Sequence, residues 1–161
     1  AYAARHKNKE MLSKSTSGGM FTAFSEKGDG IIFGAELDDE DVLYIKDVKD
    51  STQFHKMRGS KYVQSITGDS YIKVKQYLQQ NKRVLYFALP CQIAGLRNYL
   101  NMDYDNLLCI DLVCHGCPST LFYRKYVEFL QSRYGKIEKI SHTDDCWNTL
   151  IEHNLTLITK K

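Results

Sequence analysis

Two short polar segments of the chain contain the residue types that bind phosphate. The first is Ser-Thr-Ser-Gly-Gly at residues 15–19, and the second is Arg-Gly-Ser-Lys-Tyr at residues 58–62. Glycines let a backbone approach a ligand closely, hydroxyls donate hydrogen bonds, and a helix beginning at Met20 would direct free N–H groups at an anion. The first segment alone is better explained as a simple helix cap. Together the two segments predict a bound nucleotide or flavin.

Two cysteines follow apolar segments at positions where chemistry is common. Cys91 stands in Pro-Cys-Gln, in the first turn of a predicted helix, where the helix dipole favours the reactive thiolate. Cys114 opens Cys-His-Gly-Cys-Pro, whose C-x-x-C spacing fits a redox pair or half of a metal site. The alternative for Cys91 is a small buried apolar side chain, and for His115 it is a turn histidine that bonds its own backbone.

A third cysteine pattern is interpreted differently. Cys109, Cys114 and Cys117 have the C-x4-C-x2-C spacing of a plant-type [2Fe–2S] site, with Cys146 as a distant fourth ligand. Such a site needs a loop around the cluster, whereas residues 107–113 have the pattern of a fully buried strand. We therefore expect Cys109 to lie in the core.

Hydrophobic periodicity predicts the elements that position these residues. Helices are expected at residues 20–27, 51–57, 69–81, 90–100 and 119–134, and strands at 31–35, 42–48, 84–89, 107–113, 136–140 and 151–158. Asp69 is expected to cap its helix, whose apolar side would comprise Ile72, Val74, Tyr77 and Leu78. A right-handed βαβ unit over residues 84–113 would bring Cys91 and Cys114 to one carboxyl edge of the sheet, where ligands collect. The predicted fold class is α/β, with a mixed, partly parallel sheet, βαβ crossovers and flanking helices.

Composition limits the class of protein. The chain has 161 residues, 43% of them hydrophobic, which suits a single α/β domain over residues 1–161. A net charge of +3 with scattered Lys and Arg argues against nucleic acid as a partner. The longest apolar stretch, residues 84–96, is shorter than the ~20 residues of a membrane helix. Five cysteines without a secreted-domain framework indicate a cytoplasmic location, and the start without Met or signal peptide indicates a fragment of a longer protein.

Four ordered motifs carry a resemblance to a known family. They lie at residues 15–19, 58–65, 90–96 and 111–116. In this order and at these separations they are similar to the beta subunit family of coenzyme F-420 hydrogenases and dehydrogenases. The resemblance extends from Ser15 to about Tyr134. It implies a flavoprotein that binds FAD and passes electrons between the flavin, iron–sulfur clusters and a deazaflavin or another acceptor.

The resemblance also implies which residues serve the cofactors. The expected cofactor contacts are Ser17, Gly18, Gly19, Thr22, Arg58, Gly59, Ser60, Lys61, Tyr62, Gln92 and His115. Cys91 and Cys114 become candidate iron–sulfur ligands, and Lys61 and Cys91 are the candidates for a role in the reaction. A lysine beside a flavin ring stabilises negative charge on it.

Family members commonly carry an N-terminal ferredoxin-like segment with closely spaced cysteines. This chain has no cysteine before Cys91. We therefore expect an iron–sulfur cluster in the full-length protein, supplied by a ferredoxin-like domain or by an electron-transfer partner.

Two other functions remain open at this point. The chain could be a scaffold domain that binds a nucleotide or flavin without turnover, and a bound yellow colour would separate the two. It could also be a small zinc-binding domain. That site would be built from Cys114, His115, Cys117 and Cys146.

Overall fold

The computed structural model describes residues 2–38, 40, 42–49, 53–141 and 156–159, without the side chains of residues 138–141 and 156–159. The elements are α1 (Lys9–Ser13), a 3-10 turn (Ser17–Gly19), α2 (Met20–Lys27), β1 (Ile31–Leu37), β2 (Leu43–Val48), a second 3-10 turn (Phe54–Met57), α3 (Ser70–Gln79), β3 (Val84–Ala88), α4 (Pro90–Leu100), β4 (Leu107–Asp111), α5 (Thr120–Tyr134), β5 (Ile137–Ser141) and β6 (Thr156–Thr159). Strands β1 to β4 form one sheet, and β5 pairs antiparallel with β6.

The four-stranded sheet has the order β2-β1-β3-β4. Strand β3 pairs in parallel with β1 on one side and with β4 on the other, and Ala88 lies opposite Asp111. Strand β2 joins β1 as an antiparallel hairpin partner. The mixed, partly parallel α/β sheet and the β3-α4-β4 crossover unit expected from the sequence are therefore confirmed.

Both faces of the sheet are covered, and this explains the continuous apolar run of β3. One cluster of buried side chains joins Val84, Tyr86 and Ala88 to helices α3 and α4. A second cluster joins Leu85 and Phe87 to the turn Phe54–Met57 and to the first turn of α2. Because alternate residues of a strand point to opposite faces, every residue of β3 is buried.

Local sequence signals set the ends of the main helices. Pro90 occupies the first turn of α4, where its missing N–H costs nothing, and Asn101 ends the helix in the left-handed conformation. Ser119 caps α5 by accepting a hydrogen bond from the Phe122 N–H, and Gly135 ends that helix. The predicted bounds of both helices are confirmed to within one residue.

Two details of α3 differ from the sequence prediction. Asp69 precedes the helix but makes no side-chain cap, because its carboxylate lies 3.3 Å from the Lys73 ammonium. Ile72 is 51% exposed, whereas Ser70, Val74 and Leu78 are buried. Val74, Tyr77 and Leu78 thus face the core as expected, but the buried face leaves out Ile72 and begins with the polar Ser70.

Strand β4 is also different from its prediction. It ends at Asp111 and lies at the edge of the sheet, so its residues are only half-buried or exposed. Leu112 and Val113, which were expected to continue a buried strand, are exposed. The prediction of full burial from this apolar run was wrong, because an edge strand lacks a neighbouring strand on one side.

The chain divides into two compact units, and the single domain expected from the sequence stays a prediction. The first comprises Ala1–Arg58 and Ser65–Gly116, and the second Gly59–Gln64 and Cys117–Lys161. In the second unit the Gln64 N–H donates to the Pro118 carbonyl, so the 59–64 segment lies against the start of α5. In the described part of the chain, no helix has the length and hydropathy to cross a membrane. Cys146 and much of the expected strand at residues 151–158 lie outside the described residues.

The buried pair Ser70 and Tyr86 predicts a loss of stability at high pH. Their hydroxyl oxygens are 3.0 Å apart, and burial raises the pKa of Tyr86 well above its ordinary value. The folded state keeps a proton that an unfolded tyrosine loses near pH 10, so the free energy of unfolding should fall as pH rises above about 10. Tyr86→Phe should cost about 1 kcal/mol at pH 8 through the lost hydrogen bond. It should also flatten the decline between about pH 9 and pH 11 in denaturant titrations.

The matched control for this prediction is Tyr2→Phe, since Tyr2 is fully exposed. It should leave both the stability in neutral solution and the alkaline decline unchanged. An equally steep decline in Tyr86→Phe would show that other groups dominate the alkaline loss.

Candidate functional site

Arg58 and Thr22 are in contact although 36 residues separate them. The Arg58 Nε–H donates to Thr22 Oγ1 at 3.0 Å, and the same oxygen lies 3.5 Å from Ser15 Oγ. Thr22 is fully buried on α2, while Arg58 is half-buried with its guanidinium 5.2 Å from the centroid of the Phe54 ring. The structure therefore brings residues of both predicted phosphate segments together around one buried hydroxyl.

The glycine turn before α2 has a conformation that only glycine adopts easily. Gly18 and Gly19 have φ angles of 67° and 71°, and both are buried. A Cβ at Gly18 would lie 2.8 Å from the Ala4 carbonyl oxygen, and one at Gly19 would lie 2.9 Å from His6 Cβ. The close approach that these glycines permit is to the chain itself. Their contact with a cofactor stays a prediction.

Residues 4–6, here called the N-terminal strap, cover this turn. The His6 N–H donates to the Gly18 carbonyl at 2.7 Å, and His6 Nε2 lies 3.2 Å from a Glu26 carboxylate oxygen. Asn8 then caps α1 by accepting from the N–H groups of Glu10 and Met11. Sequence reasoning missed the strap and α1, although Asn8 ahead of Lys-Glu-Met-Leu is a usable cap signal.

The remaining residues of the Arg-Gly-Ser-Lys-Tyr segment lie in the second unit. Gly59 has φ 82°, and a Cβ there would meet no atom within 4 Å. The Lys61 ammonium donates to the Gly59 carbonyl at 3.3 Å. Ser60, Lys61 and Tyr62 are half-buried. Their cofactor contacts stay predictions, as does that of the exposed Ser17.

Cys91 and Cys114 follow the carboxyl ends of two adjacent parallel strands, as predicted. The Leu112 N–H donates to the Ala88 carbonyl at 3.3 Å, so the chain leaves β3 and β4 side by side. Both cysteines are exposed. Cys114 Sγ accepts from the Gly116 N–H at 3.4 Å, and His115 between them is exposed. This edge presents two accessible thiols to solvent.

Gln92 is buried directly beside this edge, and its side chain is bonded within the protein. Its Oε1 accepts from the Leu89 N–H at 3.1 Å. Its Nε2 donates to both the carbonyl oxygen and the hydroxyl of Ser65, at 3.0 and 2.9 Å. These bonds use the amide that was expected to contact the cofactor, and the contact of Gln92 with a cofactor stays a prediction.

Tyr71 is a neighbour of this edge that sequence reasoning did not identify. Its hydroxyl donates to the Gln92 carbonyl at 2.7 Å. A Cβ at Gly95 would lie 2.8 Å from the same hydroxyl, so Gly95 makes room for it. Burial, followed by the charge of a Cys91 thiolate, raises the pKa of Tyr71. The tyrosine is thus held in its neutral, donating form.

Cys109 behaves as the sequence predicted, as a residue packed against the core. It is half-buried beside the first hydrophobic cluster, and burial raises the pKa of its thiol against the opposing effect of Arg97. Among the residues that the structure describes, no three His, Cys, Asp or Glu side chains are grouped so that they could hold a metal ion. Cys91 and Cys114 as iron–sulfur ligands, and the alternative zinc site, stay untested.

Comparisons with known proteins bear on the family. Residues 81–158 match a family model that describes the C terminus of the beta subunit of coenzyme F420 hydrogenase/dehydrogenase, and this confirms the resemblance over that span. A similar solved structure is a chain of the xenon-derivatised F420-reducing [NiFe] hydrogenase complex from Methanosarcina barkeri, with a TM-score of 0.64 and 19% identity. The alignment covers 96% of this chain and 58% of that one, so this chain spans little more than half of its neighbour. No curated protein matches the chain.

The strap predicts different costs for two glycine substitutions with similar backbone conformation. Gly18→Ala and Gly59→Ala both place a side chain at positive φ, at a cost of about 1–2 kcal/mol. Gly18→Ala must in addition displace the Ala4 carbonyl. We expect its free energy of unfolding to fall by clearly more than that of Gly59→Ala. Equal losses in chemical denaturation would contradict a packed strap.

Proposed function

Residues 81–158 carry the sequence pattern of the F420 hydrogenase/dehydrogenase beta subunit family, and on that premise we propose that this chain is the FAD-binding part of an electron-transfer oxidoreductase. The observation that supports it most is the hydrogen bond from Arg58 to Thr22, whose hydroxyl also lies close to that of Ser15 beside the glycine turn. The expected partners are an iron–sulfur protein or domain and a deazaflavin or other acceptor.

The donor set around Thr22 fits an anionic cofactor. FAD carries a diphosphate, and an arginine guanidinium binds phosphate through several parallel N–H donors. Thr22 is fully buried and its hydroxyl oxygen accepts from Arg58 Nε, so it acts on a ligand through Arg58. Phe54, beneath the guanidinium, restricts it further. The arrangement holds a positive charge in a fixed direction near the start of α2.

Bound FAD would supply the electron-transfer chemistry, and the residues of the chain would bind and orient it. Arg58 would neutralise phosphate charge. Lys61, whose ammonium lies 3.3 Å from the Gly59 carbonyl, remains a candidate for a role in the reaction. Cys91 and Cys114 at the carboxyl edge are accessible as ligands of a cluster that would exchange electrons with the cofactor.

Substitutions at Arg58 and Thr22 test the cofactor site. Arg58→Ala in the full-length protein should weaken FAD binding by about 1–3 kcal/mol, because a charge-assisted hydrogen bond is lost. Thr22→Val, which keeps the shape and removes the hydroxyl, should weaken binding less, since the charge remains. Titration of the apoprotein with FAD, followed by flavin fluorescence, measures both.

Arg124→Ala on the exposed surface of α5 is the matched control and should bind FAD like the parent protein. If the protein binds no FAD under reducing, anaerobic conditions, the proposal fails. If Arg58→Ala binds FAD as tightly as the parent, the contact with Thr22 serves folding alone.

Cysteine variants test the cluster. In the full-length protein, Cys91→Ser and Cys114→Ser should lower the iron content, because serine replaces a thiolate ligand poorly. Cys109→Ser should keep the iron and lose only stability, since Cys109 packs against the core. Iron analysis of the purified variants measures this. Loss of iron in Cys109→Ser alone would instead support a ferredoxin-like loop formed with Cys114 and Cys117.

A further inference from the structure

Gln92 connects three segments of the first unit through its side chain and its backbone. The side chain joins the start of α4 to Ser65, and the backbone carbonyl accepts from Tyr71 of α3. The residue is 8% exposed. A buried amide with these partners is expensive to loosen, because each lost partner leaves a desolvated polar group behind.

Ser65 is the first residue after the 59–64 segment, and it is itself buried. Both backbone polar groups of its neighbour Ile66 bond to β2. The Ile66 N–H donates to the Leu43 carbonyl, and the Ile66 carbonyl accepts from the Ile45 N–H. The Ser65–Ile66 backbone is therefore fixed to the sheet edge on one side and to Gln92 on the other. Movement at Ser65 reaches the first turn of α4 through one side chain.

We infer that Gln92 is a positioning residue that couples the turn carrying Cys91 to the Ser65–Ile66 segment. Gln92 follows Cys91 directly, and its Oε1 fixes the Leu89 N–H at the helix start. A change in the conformation of Ser65 must then alter the conformation of the turn at Cys91, and the reverse also holds, because coupling between two sites is reciprocal. The inference rests on the proposed function only for the role of Cys91 in redox chemistry.

Hydrogen–deuterium exchange of the full-length protein without added FAD tests the coupling. Gln92→Leu should speed exchange about tenfold both at residues 89–93 and at residues 65–66, because both segments lose partners. Ser65→Ala removes only the hydroxyl acceptor and should have a smaller effect on the same two segments. Gln76→Leu, at an exposed glutamine of α3, is the matched control and should change neither.

Gln92→Glu adds a pH-dependent readout that a purely space-filling role would not give. A protonated glutamic acid has one O–H donor, which can replace one of the two hydrogen bonds that the amide donates to Ser65, whereas the carboxylate only accepts and would face the Ser65 carbonyl. Relative to the parent protein at each pH, the variant should exchange fast at about pH 8 and recover part of the way toward parent rates at about pH 4, where an ordinary glutamic acid is largely protonated. The apolar Gln92→Leu should show no such recovery.

The thiol gives the functional readout. A loosened helix start no longer holds Cys91 in one orientation, so the alkylation rate of Cys91 in Gln92→Leu should change severalfold while that of Cys114 stays unchanged. Faster exchange confined to residues 89–93, or a Gln92→Glu variant indifferent to pH, would overturn the coupling. Failure to bind FAD would overturn the proposed function and leave the exchange result standing. Should Gln92→Leu fail to fold, Ser65→Ala and Gln92→Glu decide the question.

Discussion

The burial of β3 on both faces is the constraint on which the rest of the first unit depends. A strand with neighbours on both edges and helices on both faces has no freedom to shift its register, because a slip by one residue would exchange its two faces. Helix α4 leaves from its end at Pro90, and β4 takes its register from it. The positions of Cys91 and Cys114 at one edge follow from this single strand.

The sequence predicted elements well where a local signal and the tertiary environment agree. Pro90 and Ser119 mark helix starts by their own chemistry, and the structure places both helices there. Prediction failed where another contact overrode the local signal. Asp69 is drawn to Lys73 instead of capping α3, and the 107–113 run loses its burial because β4 lies at the sheet edge.

In the candidate site, too, some features could be predicted from the local sequence and others could not. The polar segments could be recognised from their residue types, and the resemblance to the beta subunit family from four motifs, of which those at residues 90–96 and 111–116 lie in the span that the family model matches. The roles of individual residues could not, because they depend on contacts over long sequence distances. Thr22 bonds Arg58, Gln92 bonds Ser65, and the glycines of the turn accommodate the N-terminal strap. A residue type that suits a ligand suits the protein's own backbone equally well.

Ile66 covers part of the outer edge of β2, and this coverage bears on the self-association of the protein. The exposed edge of a sheet offers unpaired N–H and C=O groups on which a second molecule can add a strand. At the outer edge of β2, Ile66 occupies the Leu43 carbonyl and the Ile45 N–H, so a single residue blocks strand addition there. Gln92 keeps the adjacent Ser65 in place. The Gln92 amide, which fixes the helix start beside Cys91, therefore also holds in place the segment that covers the outer edge of β2.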